Sequence, residues 1–330
     1  MDALNLRVDV KEFDFAEGRV LVFEIPPRPI GTPLAHEGAY LMRVGGSLVS
    51  MSPDQLKKII SEGSKSFLQQ IAMNNLTSEQ VISLLEVQTY FDLMHSSFPA
   101  STEAILARLK SEKLVVSQEG YFAITNLGAC LLAKNFNDFE HLKYKAPRVI
   151  VYKGKDKLDV IRDQIGTKGY AVGFEGLIAF INSQLPLNEI ISEALRTEHP
   201  MYPVHAIREL VANAFVHQDF EESGTRILIE IYSDRLEISN PGLPLIDTDR
   251  FIEEYKSRNE ILADLMRRMG ICEERSSGID RVVSSTEEYQ LPAPEFRAKA
   301  KNTTVILYAH KAFQEMSKKD KIRQLLPLLK

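Results

Sequence analysis

Two cysteines in 330 residues leave no disulfide framework to build on. Cys130 and Cys272 stand far apart and neither has a CxxC partner, so two structural thiols in a reduced, cytoplasmic chain are expected. Long hydrophobic runs are missing too: stretches such as Arg226–Tyr232 fall well short of the ~20 residues that span a bilayer, which excludes membrane helices. Met1–Val10 carries two aspartates and no extended apolar core, unlike a secretory signal. There is no excess of positive charge. Lys+Arg 40 against Asp+Glu 45 gives a net charge of −5 and a pI near 5.9, which argues against wholesale phosphate-backbone binding and leaves room only for local basic patches. No Ser/His/Asp or Cys/His set has a spacing that would support a nucleophile. His205, His217 and Asp219 invite a zinc reading, but on a continuous helix the two histidines stand roughly 18 Å apart, too far for one ion.

What is present is an ordinary globular composition, 44% hydrophobic and 26% charged, in a chain long enough for two or three domains. The stretch Pro203–Gly242 organises the rest. Its first half predicts a helix on which Ile207, Leu210, Val211 and Ala214 form a core-facing stripe, while Glu209, Asn213 and His217 recur every four residues on another face. Two β-rich runs follow, Arg226–Tyr232 and Leu236–Ile238, split by Ser233-Asp234-Arg235 and closed by Asn240-Pro241-Gly242. Such a constellation suits a magnesium nucleotide. Mg²⁺ takes hard oxygen ligands, keeps several waters and draws on the phosphates, so one amide oxygen such as that of Asn213 is enough. Glu209, one turn earlier, could take a proton from an attacking water. A Glu and an Asn four apart are by themselves the mark of a solvated helix face; the order of the surrounding parts is what argues for a site.

The series REL-VAN-AFVH-QDF, LEISNPGLP, RNEILADLMRRMG and ERSSGIDRV resembles the Bergerat-fold ATPase module of the GHKL class, and more closely its divergent form in ATP-binding proteins with a Schlafen AlbA-type N-terminal domain, often described as predicted transcriptional regulators. The likeness runs over about residues 1–62 and 140–310. It implies an α+β fold: a C-terminal Bergerat-type α/β sandwich with helices on one face of a mixed sheet, a helical, winged-helix-like middle, and a small α/β N-terminal remnant. The implied domains are 1–62, 63–135, 136–312 and a tail helix at 313–330. The implied roles are Glu209 as catalytic base, Asn213 as Mg²⁺ ligand, Asn240 and Gly242 at the adenine, and Ser276, Ser277 and Gly278 at the phosphates. His217 joins the nucleotide-binding set, and Arg258 and Arg275 are the favoured phosphate cations because they lie near the turns. An exposed basic helix face explains Arg267 and Arg268 equally well. Asn240 stands where the wider class has Asp; its amide can accept from the adenine amino group and donate to a ring nitrogen. Ser276-Ser277 makes the second turn poor in glycine, although the helix expected over Ile279–Glu288 still offers its N-terminus to an anion.

Elsewhere the sequence predicts strands at Leu6–Val10, Val20–Ile25 and Tyr40–Val44, then a helix from Ser52-Pro53-Asp54. The stretch VLVFEIPPRPIGTPLAHEGAYLMRVGGSLVSMSPDQL matches only the second half of the AlbA-type domain, which implies a fragment or a late start, speaks against nuclease chemistry, and leaves a sheet edge on which a second copy could pair as a homodimer. Arg28 and Arg43 are phosphate contacts or solvated arginines. Helices are expected over Ser66–Met73, Ser78–Gln88 and Ser101–Lys110, with a hairpin of Leu114–Val116 and Tyr121–Ile124; this is either a winged helix reading a DNA groove or a packing module. A strand at Pro147–Tyr152 and a helix at Gly173–Leu185 flank KGKDKLDVIRDQIGTKG, read as a solvated loop or a nucleic-acid contact. A helix from Arg258-Asn259 to Met269 should stop at Gly270, and Thr303–Tyr308 should be a last strand. The tail, Ser317–Lys330, reads as the start of a further helix-turn-helix domain. The function expected is an ATP-binding, slowly Mg²⁺-dependent hydrolysing regulator in which nucleotide orders a lid and controls DNA or partner binding, as in transcription regulation. The alternative is a non-catalytic DNA-binding or scaffolding regulator with a degenerate nucleotide site.

Overall fold

The computed structural model describes residues 8–15, 18–60, 62, 63, 65–118, 120–191, 196–248, 251, 256–272 and 278–311, with 314, 316, 318, 321 and 322 beyond. The chain forms two compact units, Met1–Ser66 and Phe67–Lys330.

In the first unit β1 (Asp9–Phe15) and β2 (Gly18–Glu24) make an antiparallel hairpin, registered from Asp9↔Glu24 to Phe15↔Gly18. Its residues are exposed throughout; Leu6, expected in the first strand, lies outside the described residues. A second meander joins β3 (Ala35–His36), β4 (Ala39–Val44) and β5 (Ser47–Ser50). Helix α1 (Pro53–Ile60) starts where the sequence places it. The Gln55 amide N–H donates to Ser52 Oγ at 3.3 Å and Gln55 Oε1 accepts from the Ser52 N–H at 3.0 Å, a reciprocal cap. Arg28 is paired with Glu62 and donates to the Pro29 carbonyl at 3.2 Å.

The second unit opens with a correction. Where helical spacing predicts a helix over Ser66–Met73, the chain makes a 3-10 turn at Phe67–Gln69 and strand β6 (Ile71–Leu76). Short apolar runs fit either period, and here strand pairing decides: Ile71 and Met73 face Thr125 and Ile124, and the Asn126 N–H donates to the Gln70 carbonyl at 2.8 Å. The helix expected over Ser78–Gln88 is two, α2 (Ser78–Leu84) and α3 (Val87–Leu93), because the extended Leu85 backbone bridges to Ala133. Helix α4 (Thr102–Ser111) is capped by Ser101 and followed by the hairpin β7 (Val115–Gln118) and β8 (Tyr121–Thr125) in a sheet of order β6-β8-β7. Buried helix α5 (Asn126–Leu132) follows directly.

Next come β9 (Arg148–Tyr152), β10 (Val160–Ile165), α6 (Tyr170–Gln184), the hairpin β11 (Leu187–Ile191) and β12 (Arg196–Pro200), α7 (Val204–His217), β13 (Leu228–Ile231), β14 (Arg235–Pro241), α8 (Glu260–Arg268), α9 (Gly278–Glu288), β15 (Glu295–Lys299) and β16 (Asn302–Tyr308). Six of these strands form a mixed sheet of order β10-β9-β13-β14-β16-β15, in which only β9 and β13 run parallel. The charged stretch read as a loop thus holds an edge strand; Arg148 Nε donates to Asp163 Oδ1 across it at 2.7 Å.

Alternation sorts the sheet. Val149, Val151, Ile229, Ile231, Leu236, Ile238, Val305 and Leu307 share one core with Phe174 and Ile178 of α6, Ile207, Leu210 and Val211 of α7, Leu262 and Leu265 of α8, and Val282 of α9. On the other face Ile150, Tyr152 and Tyr232 form a small cluster, and the buried Glu230 accepts from Tyr152 Oη at 2.9 Å and Lys157 Nζ at 2.6 Å. The core runs on through Tyr90, Leu109 and Ile124, so the α2–β8 module packs as part of the same unit. A polar tie reinforces it: Arg268 Nη1 donates to Glu112 Oε2 at 3.0 Å, and Arg108 Nε donates to Tyr90 Oη at 2.9 Å. Arg108, one of the few cations on α4, is thereby engaged within the unit. No helix among the described residues is long and apolar enough to cross a membrane. The tail expected to be helical lies mostly outside the described residues.

Lys145, in a 3-10 turn at Lys143–Lys145, supports the chain just after α7. Its Nζ donates to the Phe220 carbonyl at 2.7 Å and the Glu222 carbonyl at 2.9 Å, beside the stacked rings of Phe67 and Phe220. Burial holds its pKa below the ordinary lysine value. Lys145→Met leaves both carbonyls without this donor, and urea unfolding should report a loss of about 2–4 kcal/mol.

Candidate functional site

The stripe of α7 reaches the core as the spacing predicts: Ile207, Leu210, Val211 and Ala214 are buried. The polar stripe does not face open water. Glu209, Asn213 and His217 line one wall of a cavity of about 440 Å³, closed by Ile238 and Asn240 of β14, Thr303 and Val305 of β16, Phe296 of β15, and the segment Leu243–Ile246. That volume lies within the range of small-molecule sites.

Glu209 is only 9% exposed. Asn213 Nδ2 donates to Glu209 Oε1 at 3.1 Å. A carboxylate only accepts, so this bond fixes the amide orientation and leaves Asn213 Oδ1 without a donor among the described residues. On its other side Glu209 rests against the backbone of Gly278, the first residue of α9. A Cβ there would stand 2.0 Å from Glu209 Oε1, so any other residue requires the carboxylate to move aside. Cys272 also lines the cavity, its thiol pushed up to about 12 by burial and then by the Glu209 charge; burial likewise pushes the Cys130 thiol up to about 12. Neither is a reactive thiolate at neutral pH.

On β14, Asn240 Nδ2 donates to the Pro241 carbonyl at 3.1 Å, and its Oδ1 has no donor among the described residues. Gly242 adopts φ +97°, takes a 2.8 Å bond from Thr303 Oγ1 on its carbonyl, and donates its N–H to the Lys301 carbonyl at 2.6 Å. A side chain there would meet Asp219 Cβ at 2.7 Å. His217 is held neutral, its pKa pushed down to about 4 by burial and then by the nearby Arg258 charge.

Among the described residues, Lys256, Arg258 and Arg267 stand on the lining with the carboxylate of Glu209, and Arg267 is also paired with Asp264. Arg258 is not idle: Nη1 donates to Asp219 Oδ2 at 3.1 Å and Nη2 to the Leu243 carbonyl at 2.6 Å. The cavity therefore brings together Glu209, Asn213, His217, Asn240, Arg258 and Gly278, with Gly242 at its edge; Arg275, Ser276 and Ser277 lie outside the described residues. Sequence reasoning did not assign Asp219, Lys256, Thr303 or Phe296 to this site. Asp219 alone carried a signal, in its place just beyond the polar stripe.

Residues 224–307 match a family model described as "Putative ATP-dependent DNA helicase recG C-terminal", which supports an ATPase-like domain. The match takes in Asn240, Gly242, Arg258 and Gly278 but begins after α7. Among solved structures the DIP2311 protein from Corynebacterium diphtheriae is similar in fold, at a TM-score of 0.58 and 18% sequence identity, over 99% of this chain and 67% of that one. No curated protein matches the chain.

Two measurements follow from this geometry. Between the ordinary histidine pKa of about 6.5 and about 4, the unfolded chain binds a proton at His217 that the folded chain refuses, so this residue makes stability fall as pH drops through that window and contributes no slope above it. An NMR titration should find the His217 midpoint near 4 and see it rise in Arg258→Gln. Gly278→Ala should destabilise the fold by about 1–3 kcal/mol, and Glu209→Ala in the same chain should recover part of that loss, because the truncated partner makes room.

Proposed function

We propose that the protein binds ATP with Mg²⁺ in this cavity and hydrolyses it slowly, in a Bergerat-type domain of the GHKL kind. The observation that carries the reading is the Glu209–Asn213 pair, which leaves one unpaired amide oxygen facing a cavity in an ATPase-like domain. Asn213 Oδ1 would hold the Mg²⁺, whose charge offsets that of the phosphates, with the remaining ligands drawn from substrate and water. Asn240 takes the base end. With one Nδ2 hydrogen held by the Pro241 carbonyl, its Oδ1 accepts from the adenine amino group and the second Nδ2 hydrogen remains for a ring nitrogen.

Glu209 is the proton acceptor. Water attacks the γ-phosphorus, the bond from that phosphorus to the bridging oxygen breaks, ADP leaves, and the water's proton passes to the carboxylate. The cations Lys256 and Arg267 balance the phosphate charge, and the N-terminal end of α9 adds its dipole. In this reading nucleotide binding orders the segment between the glycine turns and so controls association with DNA, a partner protein or a second copy, as a transcription regulator requires.

Isothermal titration with Mg-ATP should give saturable binding to the wild type, weakened about tenfold or more in Asn213→Ala, and ATP should bind more tightly than GTP. Glu209→Gln should keep ATP binding while phosphate release falls about 10²–10⁴-fold. Equal release from variant and wild type removes Glu209 as the base. Salt-dependent DNA binding that ignores ATP and Mg²⁺ favours the non-catalytic scaffold instead.

A further inference from the structure

Arg258 lies on the cavity lining, where a cation would be assigned to phosphate, yet both of its Nη atoms are already engaged by the protein. Nη1 donates to Asp219 Oδ2 at 3.1 Å and Nη2 to the Leu243 carbonyl at 2.6 Å, while Nε is buried without a partner. Both side chains of the pair are 24% exposed, so the pair is only partly wetted. Asp219 is tied on every side. Its N–H donates to the Pro241 carbonyl at 2.8 Å, its Oδ1 accepts from the Glu221 N–H at 3.0 Å, and its Cβ fills the space that a side chain at Gly242 would need. The residue after Arg258 is fastened as well: Asn259 Nδ2 donates to the Val216 and Gln218 carbonyls, each at 2.8 Å, at the C-terminal end of α7.

These bonds converge on one stretch of backbone. Pro241 is held through its carbonyl, Gly242 by close packing and Leu243 through its carbonyl, and the wall Leu243–Ile246 continues from there around the cavity. We propose that Asp219 and Arg258 are positioning residues that hold the base-side wall of the cavity, Asn240 to Ile246, and that Arg258 is not a phosphate ligand. Moving the guanidinium to a phosphate would strip Asp219 of its partner and free the Leu243 carbonyl. The fork is what matters: one planar group must reach a carboxylate and a carbonyl at once, which a lysine ammonium on a flexible stem does not reproduce.

The proposal rests on the nucleotide reading for its binding readout but not for its structural one. Affinities for adenosine, ADP and Mg-ATP are measured on the wild type, Arg258→Lys, Arg258→Gln and Asp219→Asn. A positioning role predicts that all three ligands weaken by a similar factor, about tenfold, in each variant, that Arg258→Lys is impaired like Arg258→Gln, and that Asp219→Asn with Arg258→Gln loses less than the product of the two single effects. Preferential loss of ATP with adenosine unchanged, and rescue by lysine, overturns it, because lysine serves well as a phosphate cation. Hydrogen exchange of residues 240–248 without nucleotide supplies the independent arm. Faster exchange in Asp219→Asn and Arg258→Lys, with the rest of the sheet unchanged, supports the proposal, and exchange equal to wild type overturns it. If the wild type binds none of the three ligands, the nucleotide reading falls and the exchange result decides the positioning role alone.

Discussion

The carboxylate of Glu209 has no space beside it, and that contact sets how closely two helices approach. Gly278 begins α9 against Oε1, so any side chain at that position would force the helix away from α7 or turn the carboxylate out. Helix α7 cannot yield in turn, because its opposite stripe is locked into the core with the sheet. A buried carboxylate is costly unless it is satisfied, and the Asn213 amide supplies a donor. The close approach of α9 to α7 at Gly278 and the donor from Asn213 both centre on this one acid group.

The cavity lining mixes polar and apolar groups. Glu209, Asn213, Asn240 and Thr303 supply polar atoms, and Ile238, Val305 and Phe296 apolar surface. His217 adds no charge at neutral pH, and Cys272 no thiolate. A lining that combines apolar walls with polar side chains and cations is compatible with the ATPase-like family match over residues 224–307.

Local periodicity made much of this visible before any coordinates. The 3.6-residue stripe on α7 and the Ser233-Asp234-Arg235 break between β13 and β14 are properties of neighbouring residues, and the strands and helices formed there. Features that depend on distant partners were not visible. Strand β10 looked like a charged loop because its order comes from pairing with β9, and β6 looked helical until Thr125 and Ile124 lay opposite it. Lys145 resembled any surface lysine, although its partners sit at Phe220 and Glu222. The favoured phosphate cation Arg258 was legible as a charge near a turn, but nothing in the order of residues announces that Asp219 already occupies it.

The single parallel pairing in the sheet has a kinetic consequence. Strands β9 and β13 lie side by side in the same direction, so the chain between Tyr152 and Leu228 must arch across the sheet, and α6 and α7 are carried on that arch. The acid and the amide therefore reach their places only when segments some 75 residues apart have met, a costly closure that local helix formation cannot shortcut. During synthesis the pocket would be among the last parts to become competent, arriving after the α2–β8 module that needs no such crossing.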